Sequence, residues 1–202
     1  MYTTVFKMTT ETIIKATHLL NINSPNAIHK WICYQQQSSR ADDNLLFRVK
    51  RQTGIIWLYI QSTSKFHIDE TQIAEAGLEF YKQFNTDKIE ENFFELNYFD
   101  VECFPCKCDT ATQKRYFLTN PDDRLDWLKR QFEKNGINII DCREYQLGNI
   151  WMDKYKKAKS IRTATFEGYM QIFDEELAKE FFKRGLGRFK AYGLGMIVAS
   201  AR

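Results

Sequence analysis

The sequence predicts an α+β fold of two tandem ferredoxin-like (RRM-like) βαββαβ domains. Its 202 residues leave room for two domains of about 100 residues each, and a hydrophobic content of 44% is sufficient for a folded core. In each half, strand-like and helix-like segments follow in the order strand, helix, strand, strand, helix, strand. This order is typical of a four-stranded antiparallel sheet with two helices on one face. We place the domains at residues 1–106 and 107–202.

Hydrophobic periodicity and helix-start residues define the elements of the first half. Ser24 is a suitable N-cap, and Pro25 fits the first helical position. Two apolar runs on either side of Gln52-Thr53-Gly54 indicate a hairpin. Gly77 weakens the prediction of the second helix. The predicted elements are a strand over 3–8, a helix over 25–37, strands over 45–50 and 55–60, a helix over 70–84 and a strand over 93–104.

The second half shows the same succession. Asn120-Pro121-Asp122 begins a helix that Gly136 ends. Asp174 is a plausible N-cap for the last helix, and Gly185 occupies its C-cap position. The predicted elements are strands over 116–118 and 137–145, a helix over 121–135, a hairpin of strands over 150–157 and 161–173, a helix over 174–184 and a strand over 196–199.

A glycine-rich loop follows the last helix. Residues 185–195 hold four of the nine glycines of the chain, together with Arg188 and Lys190. Flexible backbone and cationic side chains suit the binding of a polyanion. The loop does not fit a dinucleotide-binding fingerprint, because it follows a helix and so meets the negative end of the helix dipole. The simpler interpretation, a helix C-cap and an ordinary turn, accounts for Gly185 alone.

Charge and cysteine content narrow the class of protein. The net charge is only +3, so a basic surface must come from local clusters, such as the run over 154–162, which has five cations and no acid. We find neither a signal peptide nor a membrane-spanning run, and we expect a cytoplasmic protein. Five cysteines fit a reducing compartment. Three of them resemble half of a zinc site without a second half, so we expect no metal: Cys103, Cys106 and Cys108.

The C-terminal segment carries a resemblance to a known family. A strand containing Phe166-Glu167-Gly168 precedes a short helix and then a glycine-lysine pattern that ends at an apolar strand. The chain resembles the CRISPR-associated repeat-RNA endoribonucleases of the CasE type, the crRNA-processing subunit of the type I-E Cascade complex. Weaker matches are Leu46–Val49, Ile60–Ser62 and Trp127–Arg130. The residues that match the pattern position by position are Gly185, Gly187, Lys190, Ala191, Gly193 and Gly195.

The resemblance implies an activity. Such proteins bind the stem-loop of a CRISPR repeat and cleave it without metal or cofactor, by attack of a 2′-hydroxyl that leaves a 2′,3′-cyclic phosphate. They keep the mature crRNA and join other Cascade subunits. His29 matches the catalytic histidine of the family, and the neighbouring Lys30 matches a basic residue that serves the phosphate. Asn26 stands where several relatives carry a tyrosine, so tyrosine assistance is in doubt. Taken alone, a histidine on an amphipathic helix is more often structural.

The resemblance also implies where RNA binds. Relatives insert a basic hairpin into the groove of the RNA stem, and here the basic run occupies that hairpin, although such a run alone is most often solvated surface. The alternative is a non-catalytic RRM-like RNA-binding subunit in which His29 is structural. The residues expected to bind RNA are Lys154, Lys156, Lys157, Lys159, Arg162, Gly185, Gly187, Arg188, Lys190, Gly193 and Gly195.

Overall fold

Strand pairing organises the chain into two four-stranded sheets within the residues that the structure describes. The computed structural model describes residues 1–9, 12, 15, 24–38, 40–86, 97–152 and 159–201. The chain divides into two compact units. The first comprises Met1–Glu90, Trp151–Ser160 and Lys190–Gly193. The second comprises Glu91–Ile150, Ile161–Phe189 and Leu194–Arg202.

The first sheet has the strand order β2-β3-β1-β4, in which every neighbouring pair is antiparallel. Its helices and its sheet share one apolar core. The elements of this unit are β1 (Tyr2–Met8), α1 (Pro25–Gln36), the short α2 (Arg40–Asp43), β2 (Leu46–Gln52), β3 (Ile55–Ser62), α3 (Glu70–Glu75) and β4 (Glu79–Asn85).

Local sequence explains α1. The side chain of Ser24 accepts a hydrogen bond from the Ala27 backbone N–H, and Pro25 occupies the first helical position. Ile28 and Ile32, four residues apart, are both buried in the core of the first sheet. The predicted helix start and the predicted apolar face are therefore confirmed.

The helix predicted over 70–84 is wrong beyond Glu75. Gly77 adopts a positive φ of 72°, a conformation that ends a helix and that glycine reaches without steric cost. The following residues form β4, which pairs with β1. This pairing partner is more than 70 residues away in the sequence, so helical periodicity over the window could not reveal it.

The second sheet has the strand order β10-β5-β9-β8. Both sheets thus show the strand arrangement of a ferredoxin-like βαββαβ unit, as the sequence predicts. The remaining elements are β5 (Tyr98–Cys103), β6 (Cys106–Cys108), β7 (Arg115–Phe117), α4 (Pro121–Glu133), β8 (Ile137–Met152), β9 (Lys159–Ile172), α5 (Glu175–Arg184), a 3₁₀ turn at Lys190–Tyr192 and β10 (Ile197–Ser200).

Two of the expected strands belong to a different sheet from the one predicted. The described part of the strand expected over 93–104, β5, belongs to the second sheet, where it pairs with β9 and β10. The proposed boundary at 106/107 therefore falls inside the second unit. The strand expected over 116–118 is β7, and it pairs with β6 in a separate two-stranded ribbon.

The strand expected over 137–145 and the described part of the strand expected over 150–157 are joined in one long strand, β8; residues 153–157 lie outside the described residues. Gly148 lies inside this strand. A Cβ atom at Gly148 would come within 2.9 Å of the Thr163 hydroxyl oxygen, so the glycine permits a close approach between side chain and backbone.

A buried ion pair fixes the start of α4 in the second unit. Arg124 is 2% exposed, and its guanidinium donates to both carboxylate oxygens of Glu144 on β8. It also donates to the carbonyl oxygens of Leu118 and Thr119 at 3.0 and 2.7 Å. The hydrogen bonds to Glu144 raise the pKa of Arg124 above its ordinary value. These contacts hold the chain leading into α4 against the sheet.

Candidate active site

His29 projects from the second turn of α1 and is half-buried. Its ring lies nearly parallel to the ring of Phe47 on β2, with an interplanar angle of 12° and a centroid separation of 6.4 Å. Phe47 is only 3% exposed and belongs to the core of the first sheet. A core side chain thus faces one side of the imidazole.

Gly193 lies against the Phe47 ring within the same unit. A Cβ atom at Gly193 would lie 2.9 Å from Cε2 of Phe47, which is closer than real Cβ contacts allow. Its φ of 83° is also a conformation that favours glycine. The 3₁₀ turn at Lys190–Tyr192, just before Gly193, packs against α1 and β2. The first unit therefore brings His29, Phe47 and the middle of the glycine-rich loop together.

Cys33 lies one turn after His29 on α1. Its Sγ atom is 3.8 Å from Nδ1 and 3.9 Å from Nε2 of the histidine, at the outer limit of a hydrogen bond to sulfur. Cys33 was not among the expected site residues. Its position four residues after the histidine is the feature that predicts the contact.

The two residues expected to assist His29 lie on the same helix. Asn26 is half-buried in the first turn of α1, three residues before the histidine, as the sequence predicts. Lys30 is exposed. Consecutive helical residues project about 100° apart, so Lys30 and His29 leave the helix in different directions. Their roles in catalysis stay predictions.

The backbone amides of three loop glycines are already used inside the protein. Gly185 donates to the Phe181 carbonyl at 2.8 Å, and Gly193 donates to the Lys190 carbonyl at 3.1 Å. Gly195 donates to the Glu102 carbonyl at 2.7 Å. These three N–H groups therefore have acceptors within the protein, and RNA binding by Gly185, Gly193 and Gly195 stays a prediction.

These glycines also have conformational roles. Gly195 has a φ of 80°, and a Cβ atom there would lie 2.0 Å from the Leu186 carbonyl oxygen. The Leu186 N–H donates to the Gly195 carbonyl at 2.8 Å, so the two ends of the loop are tied together. Gly187, in contrast, is exposed, and a Cβ atom there would meet Trp127 only at 3.6 Å.

The cations of the loop differ in their surroundings. Arg188 is exposed in the second unit, and its charge acts on the Cys106 thiol, whose pKa is raised above its ordinary value because burial outweighs the nearby cations. Lys190 is half-buried and begins the 3₁₀ turn of the first unit. Cationic side chains such as these suit a phosphate, and RNA binding by Arg188 and Lys190 stays a prediction.

Only part of the predicted basic hairpin can be assessed. Lys154, Lys156 and Lys157 lie outside the described residues. Lys159 is the first residue of β9, and Arg162 is exposed further along the same strand. RNA binding by these residues stays a prediction.

The described ranges contain neither a group of metal ligands nor a membrane-spanning helix. There, no three histidine, cysteine, aspartate or glutamate side chains are grouped as a metal site would require. Cys103 is buried on β5, whereas Cys108 is exposed at the end of β6. Among the helices described, none is long and apolar enough to cross a membrane.

The chain thus combines two ferredoxin-like sheets with a half-buried histidine on a helix that packs against the turn before Gly193. The chain belongs to the CRISPR-associated protein family, whose model matches residues 1–199. The family resemblance found in the sequence is thereby confirmed.

One curated relative agrees with this assignment. The chain is 27% identical over 111 residues to the CRISPR-associated endoribonuclease Cse3 of Thermus thermophilus, an alignment covering 49% of this chain. It spans about half the length of that curated relative, 53%.

Solved structures show the same fold. A structure of the CRISPR endoribonuclease Cse3 bound to a 19-nucleotide RNA matches with a TM-score of 0.83 at 20% identity, covering 99% of this chain and 100% of the other. The CRISPR-associated protein Cas6e from Escherichia coli K-12 matches with a TM-score of 0.71 at 17% identity over 100% of both chains.

Proposed function

We propose that this protein is a metal-independent endoribonuclease that binds the stem-loop of a CRISPR repeat and cleaves precursor crRNA. On this proposal it remains bound to the mature crRNA as a subunit of a Cascade complex in the cytoplasm. The observation that carries the proposal is the position of His29, half-buried against Phe47 in the unit that also holds the Lys190 turn. The related Cse3, named an endoribonuclease, supports it.

The proposed reaction is a transesterification. The 2′-oxygen attacks the adjacent phosphorus, the bond between phosphorus and the 5′-oxygen breaks, and a 2′,3′-cyclic phosphate and a 5′-hydroxyl are formed. One proton leaves the 2′-hydroxyl and one reaches the departing 5′-oxygen. An imidazole suits either transfer, because its ordinary pKa near 6.5 makes both its forms available near neutral pH.

The packing of His29 supports this role. A catalytic group must be held in one orientation, because small displacements of the reacting atoms cost large factors in rate. The parallel ring of Phe47 limits rotation of the imidazole on one side, and Cys33 approaches both ring nitrogens within 3.9 Å. Lys190, in the same unit as His29, is the loop cation that we assign to the charge of the phosphate and its transition state.

The decisive experiment is single-turnover cleavage of a repeat hairpin RNA in the presence of a chelator. We expect cleavage by the wild-type protein, a cyclic phosphate on the upstream product and no cleavage when the scissile nucleotide is 2′-deoxy. His29→Ala should abolish cleavage and retain binding, because the histidine is assigned to proton transfer. The matched control is His67→Ala, which changes a histidine on an exposed segment of the same unit.

The direction of proton transfer can be tested with a substrate whose 5′-bridging oxygen is replaced by sulfur. A thiolate leaves without protonation, so this substrate should restore cleavage by His29→Ala if the histidine donates the proton to the leaving group. Absence of rescue would assign it to the 2′-hydroxyl instead.

The competing function is a non-catalytic RNA-binding subunit, which the presence of Asn26 in place of the family tyrosine favours. Tight binding of intact hairpin RNA, without cleavage at saturating protein, would establish that function and exclude ours.

A further inference from the structure

The face of the first sheet that points away from the helices combines aromatic and basic side chains. Along β3, Ile56 and Leu58 enter the core shared with α1, so Trp57 between them projects to the opposite face. Along β1, Phe6 and Met8 enter the same core, and Lys7 projects away from it. We call the side of the sheet that carries Trp57 and Lys7 the open face.

Strand register brings two lysines beside Trp57. On one side Trp57 lies directly opposite Lys7 of β1, and on the other side it lies opposite Lys50 of β2. Side chains at directly opposed positions stand about 5 Å apart on the same face. The indole is therefore flanked by a cation on each neighbouring strand. Glu79 of β4 follows Lys7 in the same row and is exposed.

A β-bulge adds a second ring. Val5 pairs with Lys82 and Phe6 pairs with Phe80, so Tyr81 is an extra residue in β4. Its ring packs edge-on against Trp57, with the centroids 5.0 Å apart and an interplanar angle of 76°. The bulge thus brings Tyr81 to the open face together with Lys82, although the two residues are consecutive.

Trp57 is half-buried and Tyr81 is exposed. Nε1 of Trp57 donates to the side-chain oxygen of Gln52 at 3.1 Å, which fixes the orientation of the indole. Tyr81 is 55% exposed. Nζ of Lys82 lies 5.6 Å from the Tyr81 ring centroid and 5.3 Å from that of Phe84. The cation therefore stays beside the exposed aromatic surface.

We propose that this part of the open face, formed by Trp57, Tyr81, Lys7, Lys50 and Lys82, binds a single-stranded RNA segment. Exposed rings offer stacking surfaces to unpaired bases, and each stacked base contributes about 1–3 kcal/mol. The row of Trp57 holds two lysines and one acid, Glu79, and Lys82 adds a third cation beside it. The patch therefore favours a polyanion. An A-form stem keeps its bases stacked inside the duplex and offers nothing to these rings.

This site differs from the proposed cleavage site in the interaction that it uses and in the experiment that tests it. Stacking on Trp57 and Tyr81 requires unpaired bases and no proton transfer, so it does not depend on His29. It would give a precursor RNA a second attachment, through a single-stranded segment next to the stem.

The experiment measures fluorescence anisotropy of a labelled 12-nucleotide oligouridylate, which forms no stem, with the full chain in chelator. Tyr81→Ala and Trp57→Ala should each weaken binding by about 5-fold or more, because each removes a stacking surface. Tyr81→Phe and Trp57→Phe should retain most of the affinity. Lys82→Ala should reduce the dependence of binding on salt.

Tyr34→Ala is the matched control, because Tyr34 is a 73% exposed aromatic residue of α1 in the same unit. It should bind oligouridylate as the wild type does. If Tyr81→Ala binds like Tyr34→Ala, the proposal is overturned and the patch is left to a protein partner. Because Tyr81 is 55% exposed, Tyr81→Ala is expected to fold normally. A thermal melt of Tyr81→Ala checks this.

Discussion

The imidazole of His29 and the benzyl ring of Phe47 lie within 12° of parallel, with their centroids 6.4 Å apart. One residue comes from the second turn of a helix and the other from the start of a strand, and their contact links the proposed catalytic group to the core of the first sheet. Stability of that core and activity of the histidine are therefore expected to depend on each other.

Phe47→Leu tests this dependence. The smaller side chain removes the ring beside His29, so we expect single-turnover cleavage of a repeat hairpin to slow by about 10- to 100-fold with hairpin affinity unchanged. The destabilisation should be about 1–2 kcal/mol. Phe66→Leu is the control, because Phe66 is buried in the same core at 1% exposure. Equal rate losses in the two variants would show that general loosening, rather than contact with His29, is responsible.

Gly193→Ala should affect both folding and cleavage. Its φ of 83° disfavours alanine, and the new methyl group would lie 2.9 Å from Phe47. Gly187→Ala is the matched control, with a φ of 67° but 3.6 Å to the nearest Trp127 atom. Gly187→Ala should cost about 1–2 kcal/mol from backbone strain, and Gly193→Ala about 1–3 kcal/mol more from crowding. Urea unfolding measures both, and equal losses would rule out the crowding effect.

Arg188→Ala and Lys190→Ala test the loop cations. If each side chain neutralises one RNA phosphate, each variant should weaken hairpin binding, and the slope of log affinity against log salt should fall by about 0.7–0.9. Lys183→Ala provides a comparison, because Lys183 lies in α5 with its Nζ 3.3 Å from Glu180. Salt slopes unchanged in both loop variants would remove the loop from the RNA-binding surface.

Glu167 is expected to make stability depend on pH. Its carboxylate accepts a hydrogen bond from the Tyr98 hydroxyl at 2.5 Å and others from Arg143, and these lower its pKa below the ordinary value. A group with a lowered folded-state pKa stabilises the fold above its unfolded pKa and loses that contribution as the pH falls through the folded value. The free energy of unfolding should therefore fall as the pH is lowered through and below the ordinary glutamate pKa of about 4.3.

Glu167→Gln should reduce the slope of that fall, and Tyr98→Phe should reduce it in part, since the tyrosine is the larger cause of the shift. Urea unfolding across this range measures the effect. A pH dependence identical to that of the wild type in Glu167→Gln would show that other carboxylates govern acid unfolding.

Local sequence determined the elements that are specified by nearby residues. The cap at Ser24 and the spacing of Ile28 and Ile32 define α1, and Asp174 and Gly185 delimit α5, because capping and helical periodicity involve residues within a few positions. Periodicity over residues 79–85 did not distinguish a helix from β4, because that choice depends on hydrogen bonds to the distant β1.

The candidate site shows the same division. Sequence patterns and the family resemblance pointed to His29, its helix and the glycine-rich loop. The fold adds that Phe47 faces the histidine, that Gly193 leaves room for Phe47 and that the amides of Gly185, Gly193 and Gly195 donate to carbonyl oxygens within the protein. The physical reason is that helix caps and periodicity are short-range, whereas packing and hydrogen-bond partners in a β-sheet join residues far apart in the chain.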